Sequence, residues 1–274
     1  MECRWIRTTE HDLPKLRRAS RGVALLPVSS IESHGPHAPL GSDTLNLEYV
    51  LDRIAEREPI AILPQLPYSS VVEAMQCLGA IHIDTLLLIE FVETICDEVY
   101  RNGFDKVVIL HGHGGNPALH QMLCKRALER AKPYAIYSIP PLPDMHEFIK
   151  SLMQQSEFGH GCEMEVSMNL VSTPELVHLE YLKGKVFRRH AYPDIGSVLT
   201  QVDWIGRWPE MAVGDPSKAT QEKGEKILEE WTRRVVELLR RIKRDRLVLR
   251  ATERFRKARL SHRKDLPGGR PSSR

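Results

Sequence analysis

The chain has 274 residues, 42% hydrophobic and 27% charged, a composition that suits a globular domain and excludes a fibre or a disordered chain. Its net charge of +3 is unevenly spread: the segment 240–274 holds 14 Lys/Arg against three Asp/Glu, so the rest is acidic. A basic tail on an acidic body argues against nucleic-acid binding across the whole surface.

No apolar stretch approaches the ~20 residues of a membrane span, and "MECRWIRTTEHDLPKLRR" lacks the apolar core of a secretion signal. A cytoplasmic protein is the expectation. The five cysteines (3, 77, 96, 124 and 162) are odd in number and lack CxxC spacing, which argues against a disulfide scaffold or a zinc knot.

The first predicted strand is "GVALLPV" (22–28). Where it stops, "SSIESHGPHAPLGSD" packs Glu32, His34, His37 and Asp43 into a dozen positions. Glu32 and His34 are two apart, so on an extended chain they point the same way. Gly35, Pro36 and Pro39 then turn the chain and can bring Asp43 back, whose two oxygens suit a bridge between two ions ~3.5–4 Å apart. A helix is predicted over 44–57, a strand over 60–66 and a helix over 84–102, where Leu87, Leu88, Phe91, Ile95 and Val99 recur at helical steps before Asn102-Gly103. The strand "KVVILHG" (106–112) runs into "HGHGGN", where His113 lies in the loop and His111 still belongs to the strand end. A helix over 117–131 and a strand over 134–139 complete an alternation that predicts a doubly wound α/β layer, its strands apolar throughout as in a parallel sheet covered on both faces.

A loop-rich stretch is expected over 140–156, then a helix over 161–171. On it Glu163, Val166, Ser167 and Leu170 share one face, which turns Glu163 inward and Glu165 to the side. An irregular region over 173–216 precedes the strongest helical pattern, 217–244, and the last 20 or so residues look unpacked. Ligands in open α/β sheets bind beyond the carboxyl ends of the strands. Three segments rich in carboxylates and imidazoles fall there, which fits a divalent-metal site for Zn, Mn or Fe.

These segments also resemble a known family. "LPVSSIESHGPHAPLGSD" resembles the creatininase (creatinine amidohydrolase) opening, PxGSxEqHGpHLPLgTD. "ILHGHGGN" resembles its NGHGGN block, "GHGCEMEVSM" its HAGExETS block, and "VGDPSKATQEKGEKI" its GDPxxAtxekG block. The resemblance implies a three-layer α/β/α sandwich with a mostly parallel central sheet, a homo-oligomer of hexameric type, and two divalent ions per subunit held by Glu32, His34, Asp43 (bridging) and His113. Creatininase proper has a Glu two residues after the last of these, where this chain has Gly115. The inward-facing Glu163 is therefore taken as the fifth ligand, and the resemblance makes His160 the substrate-side histidine and proton shuttle. "LPYSSVVEAMQCLGAIHID" departs from the family's PYGxSxxHxxFPGT segment, which is expected to line the pocket. Trp204 and Trp208 fall in a plausible flap.

The expectation is thus a hydrolase domain over 1–244 with a basic extension over 245–274. Asp43, Glu163 and His160 carry the chemistry, and hydroxide attack on a small polar substrate cleaves a C–N bond in a cyclic amide or formamide. Ring opening of an inositol-derived cyclic diketone is the alternative. A non-catalytic metal- or nucleic-acid-binding protein is the reading from another class, and the tail's single aromatic, Phe255, speaks against single-strand binding.

Overall fold

The computed structural model describes residues 1–193 and 195–261. Its strands are β1 (Val23–Val28), β2 (Ala61–Ile62), β3 (Lys106–His111) and β4 (Ala135–Ile139). The helices are α1 (Leu13–Ala19), α2 (Ser42–Arg57), α3 (Thr85–Arg101), α4 (Pro117–Glu129), α5 (His146–Leu152), α6 (Glu163–Ser172), α7 (Asp203–Arg207), α8 (Gln221–Arg244) and α9 (Leu247–Ser261), with short 3-10 turns between. The strands form one parallel sheet in the order β2-β1-β3-β4, with Val23 opposite Lys106 and Val28 opposite His111.

Because successive side chains on a strand point to opposite faces, the unbroken apolar runs of β1 and β3 feed two cores. On one face Val23, Leu25, Val108 and Leu110 meet Leu47 and Leu51 of α2, Met164 and Met168 of α6, and Ile227 and Trp231 of α8. On the other, Ala24, Leu26, Val107 and Ile109 meet Leu88 and Val92 of α3 and Leu119 and Leu123 of α4. The result is the expected three-layer α/β/α sandwich. Both β1 and β3 stop where glutamate and histidine begin, so the polar segments gather at one edge of the sheet.

Some elements differ from the sequence reading. The second strand is two residues rather than seven: Leu63 and Leu66 still donate backbone bonds to β1, but Pro64 between them has no N–H to give. The stretch expected as loop holds α5. The extension is helical through α9, started by Asp245, whose carboxylate accepts from the backbone N–H of Leu247 and Val248 and from the Tyr137 hydroxyl; such a cap satisfies the free donors of a helix start. Residues 262–274 of the expected extension lie outside the described residues. Among the described residues, no helix is long and apolar enough to cross a membrane.

Candidate metal centre

Glu32 and His34 leave β1 on an extended segment fastened at its own base, where Glu32 N–H donates to the Leu40 carbonyl at 2.9 Å. The turn between them and α2 delivers Asp43 into the first turn of that helix, and β3 ends so that His113 meets it. Glu32, His34, Asp43 and His113 are all buried. His113 Nδ1 lies 2.6 Å from Glu32 Oε1 and 3.0 Å from Asp43 Oδ2. His34 Nε2 lies 3.3 Å from Asp43 Oδ1 and 3.5 Å from Glu165 Oε2. Besides Glu32–His34–His160, two three-residue groups, Glu32–Asp43–His113 and His34–Asp43–Glu165, each bring their donor atoms within 4.8 Å of one another. Asp43 is the residue they share, one oxygen turned to each.

Smaller groups set this geometry. The Ser30 hydroxyl donates to Asp43 Oδ2 at 2.6 Å, with Glu32 Oε1 at 3.2 Å as the alternative acceptor. His34 Nδ1–H donates to the Glu32 carbonyl at 3.2 Å, which turns Nε2 toward the carboxylates. His37 is buried away from these carboxylates: its Nε2–H donates to the Gly161 carbonyl at 3.1 Å and ties this turn to the start of α6. His111 stays in the strand, with Nε2 3.1 Å from Ser138 Oγ.

Two expectations need correction. Glu163 is buried as the helical periodicity required, but it faces α8: its carboxylate pairs with Lys223 Nζ at 2.5 Å and accepts from the Gln154 backbone N–H at 3.1 Å. Glu165, set aside because it seemed to lie to the flank, is the α6 carboxylate that reaches His34. The Gly161 N–H holds its Oε2 at 2.6 Å. Periodicity identified a buried face; it did not say which neighbour covers it. Gly115 has a physical reason as well, since a Cβ there would sit 2.3 Å from His113 Nε2. The His113 ring thus takes the space that a side chain at 115 would need. Glu73 and Met211, which also border the site, carried no motif that could have marked them.

His160 stacks on His34 with ring centroids 4.0 Å apart, and its Nε2–H donates to the Ser33 carbonyl at 2.5 Å. Trp204 meets His160 edge-on at 5.5 Å, whereas Trp208 packs against the core beside α8; the two flap tryptophans part ways. Burial opposes charge on every one of these groups. Against it, the Asp43 and Glu165 carboxylates raise His34 to about 10. Burial, only partly offset by His34, raises Glu165 to about 7, and burial with the neighbouring His34 lowers His160 to about 4.

The residues present fit divalent metal. Three carboxylates converge with two imidazoles at a buried point, and His34 Nε2, which faces Asp43 and Glu165, has no hydrogen-bond partner among the described residues. Oxygen and imidazole donors of this kind suit zinc, manganese or iron.

The creatinine amidohydrolase family pattern matches residues 7–239. The chain belongs to the creatininase family. As such it is a hydrolase of a family of metal-dependent amidohydrolases. It is 26% identical over 235 residues to creatinine amidohydrolase of Pseudomonas putida, covering 80% of this chain and 88% of that one. It is 23% identical over 227 residues to 3-dehydro-scyllo-inosose hydrolase of Thermotoga maritima, covering 76% and 73%. To the mycofactocin precursor peptide peptidase of Mycolicibacterium smegmatis it is 24% identical over 238 residues, covering 82% and 87%. A crystal structure of creatininase superposes with a TM-score of 0.74 at 23% identity, covering 89% of this chain and 99% of that one. Among similar folds are a zinc–zinc form of a creatininase variant (TM-score 0.74, 23% identity, 89% and 100% covered) and a manganese creatininase (0.72, 22%, 89% and 100%).

Proposed function

We propose that in this creatininase-family hydrolase Glu32, Asp43 and His113 would hold one divalent ion and His34, Asp43 and Glu165 a second, and that the chain hydrolyses a carbonyl compound bound in the cavity bordered by Glu32, Asp43, His113 and Glu165. The observation that carries the reading is Asp43, whose two oxygens face the two groups separately. Zinc, manganese and iron all suit the donors. When bound, such ions polarise a carbonyl and supply a nucleophilic water at neutral pH, the pKa of coordinated water falling toward ~7.

The chain's own groups position and transfer. Ser30 and the Glu32 carbonyl hold the carboxylates and the His34 tautomer in place. His160, its Nε2–H committed to the Ser33 carbonyl, keeps Nδ1 as the nitrogen that exchanges a proton with the leaving group. Met164, Met168, Met211 and Trp204 wall a cavity of about 320 Å³, which suits a compact small-molecule substrate. The favoured reaction is C–N hydrolysis in a cyclic amide or formamide. The likeness to an inosose hydrolase supports ring opening of a cyclic diketone as a second reading. The family likeness extends the proposal to a cytoplasmic homo-oligomer.

The test is elemental analysis of purified protein beside turnover of cyclic amides, formamides and cyclic diketones after zinc or manganese reconstitution. Two ions per chain and chelator-sensitive hydrolysis are expected, both lost in Asp43→Asn. An Asp43→Asn protein that keeps two ions and full turnover would overturn the proposal.

A further inference from the structure

The cavity over the candidate metal centre has a second acidic feature that the two groups of candidate ligands do not use. Glu73 lines it from the 3-10 turn Val72–Ala74, inside the segment where this chain departs from the family pattern. The turn is held without help from the Glu73 carboxylate. Val71 N–H donates to His82 Nδ1 at 3.2 Å, and Val71 and Ala74 pack with Met211 and with Trp204 and Ile205 of α7. Gln76 Nε2 donates to the Pro209 carbonyl at 2.7 Å. Among the described residues no hydrogen bond or ion pair engages the Glu73 side chain. It is therefore a spare carboxylate on a fixed support, in a turn packed against the tryptophan that borders the same cavity.

Charge narrows what can sit there. The lining carries the carboxylates of Glu32, Asp43, Glu73 and Glu165 and no lysine or arginine. In the proposed centre Glu32, Asp43 and Glu165 would be taken up as metal ligands, which leaves Glu73 the one lining carboxylate with no donor or cation of its own among the described residues. A substrate that closes over Glu73 strips water from it. An apolar or anionic substituent then leaves a carboxylate without its hydrogen bonds, whereas an N–H cation restores them in their stronger, charge-assisted form. The Trp204 indole in the wall of the same cavity adds attraction for a cation.

We infer that Glu73 is a specificity-determining residue that selects substrates bearing a cationic nitrogen group, ammonium or amidinium, on the side away from the scissile carbonyl, and that anionic substrates are rejected. The inference rests on the hydrolase reading above for which end of the substrate faces the metal side.

Three small lactams differing in charge provide the probe: 5-aminopiperidin-2-one, whose ammonium lies across the ring from the carbonyl (cation), piperidin-2-one (neutral) and 5-oxoproline (anion). Their affinities for the zinc-loaded full chain are measured by calorimetry, and their turnover separately. The cationic lactam is expected to bind about 10- to 100-fold tighter than the neutral one, the size of a single charge-assisted contact, and the anion weakest. Glu73→Gln collapses the cation-to-neutral ratio toward one, and Glu73→Lys inverts the order of cation and anion. A ratio that Glu73→Gln leaves unchanged, a preference for 5-oxoproline, or no binding of the cationic lactam would overturn the inference. Charge-ranked binding without turnover would instead count against hydrolysis and leave Glu73 in its role; turnover without charge ranking would do the reverse.

Discussion

Asp43 turns one oxygen toward His34 and the other toward His113, and few side chains other than a short carboxylate can face two neighbours at once. Asparagine keeps the shape but replaces one oxygen with a donor that would point at a cation. Asp43→Asn should therefore lower turnover by at least about 100-fold, beyond what loss of an outer-shell partner does. The neighbouring pair of glutamates makes a sharper comparison. Glu165→Gln should reduce bound metal from two equivalents toward one. Glu163→Gln should retain both ions yet lose roughly 3 kcal/mol of unfolding free energy, because it leaves Lys223 without its buried partner. Metal analysis and denaturant titration of the two variants read these outcomes independently. Equal metal loss in both would return Glu163 to the ligand set.

The α6 and α8 helices carry the candidate centre's α6 wall, and they approach so closely that a Cβ on Gly224 would lie 1.9 Å from the Ser167 carbonyl oxygen. Ser167 is fixed in turn, its hydroxyl bonding the Glu163 carbonyl and accepting from the Thr220 N–H that opens α8. Gly224→Ala must push the helices apart, with an expected cost of about 3 kcal/mol in chemical unfolding. The far end of α8 is fastened by charge. Glu58, just before β2, takes Lys243 at 2.5 Å and Arg240 at 2.7 Å. Burial works to raise its pKa, but these two partners prevail and hold it below the ordinary value of 4.5. A depressed carboxylate contributes stability that is present above its unfolded pKa and lost as the pH falls through the folded one. Unfolding free energy measured from pH 6 to pH 3 should therefore fall less steeply in Glu58→Gln than in wild type. Parallel slopes would show that Glu58 is not the group responsible.

For the molecule entire, the candidate centre joins pieces of chain far apart in sequence: the segment after β1, the start of α2, the loop after β3 and the first turns of α6. Ions that bind only when these come together stabilise the fold by mass action, about 2.7 kcal/mol at a free concentration 100 times the dissociation constant. Chelation should lower the thermal midpoint of wild type and leave that of Asp43→Asn unmoved, read by calorimetry with and without added zinc. A midpoint indifferent to chelator in wild type would mean that the cluster holds no ion in the folded protein.

Much of this architecture was legible before any coordinates. Uniformly apolar runs such as 22–28 and 106–112 can be satisfied only by a sheet covered on both faces, so the layered parallel fold follows from composition and local pattern. The turn-forming residues between His34 and Asp43 likewise let one short segment fold back on itself, and proximity along the chain was enough to associate Glu32, His34 and Asp43. Burial direction was a different matter. Glu163 and Glu165 stand two residues apart on one helix, and which one reaches the histidines depends on where α8 and Lys223 lie, a contact made 60 residues away. The same holds for Glu73, which has no neighbour in sequence to mark it and becomes notable only because the packing of its turn against α7 sets it in the cavity wall. Local pattern reports whether a side chain is buried; only the packed structure decides against what, because that partner is chosen by the whole chain's closure and not by the residues nearby.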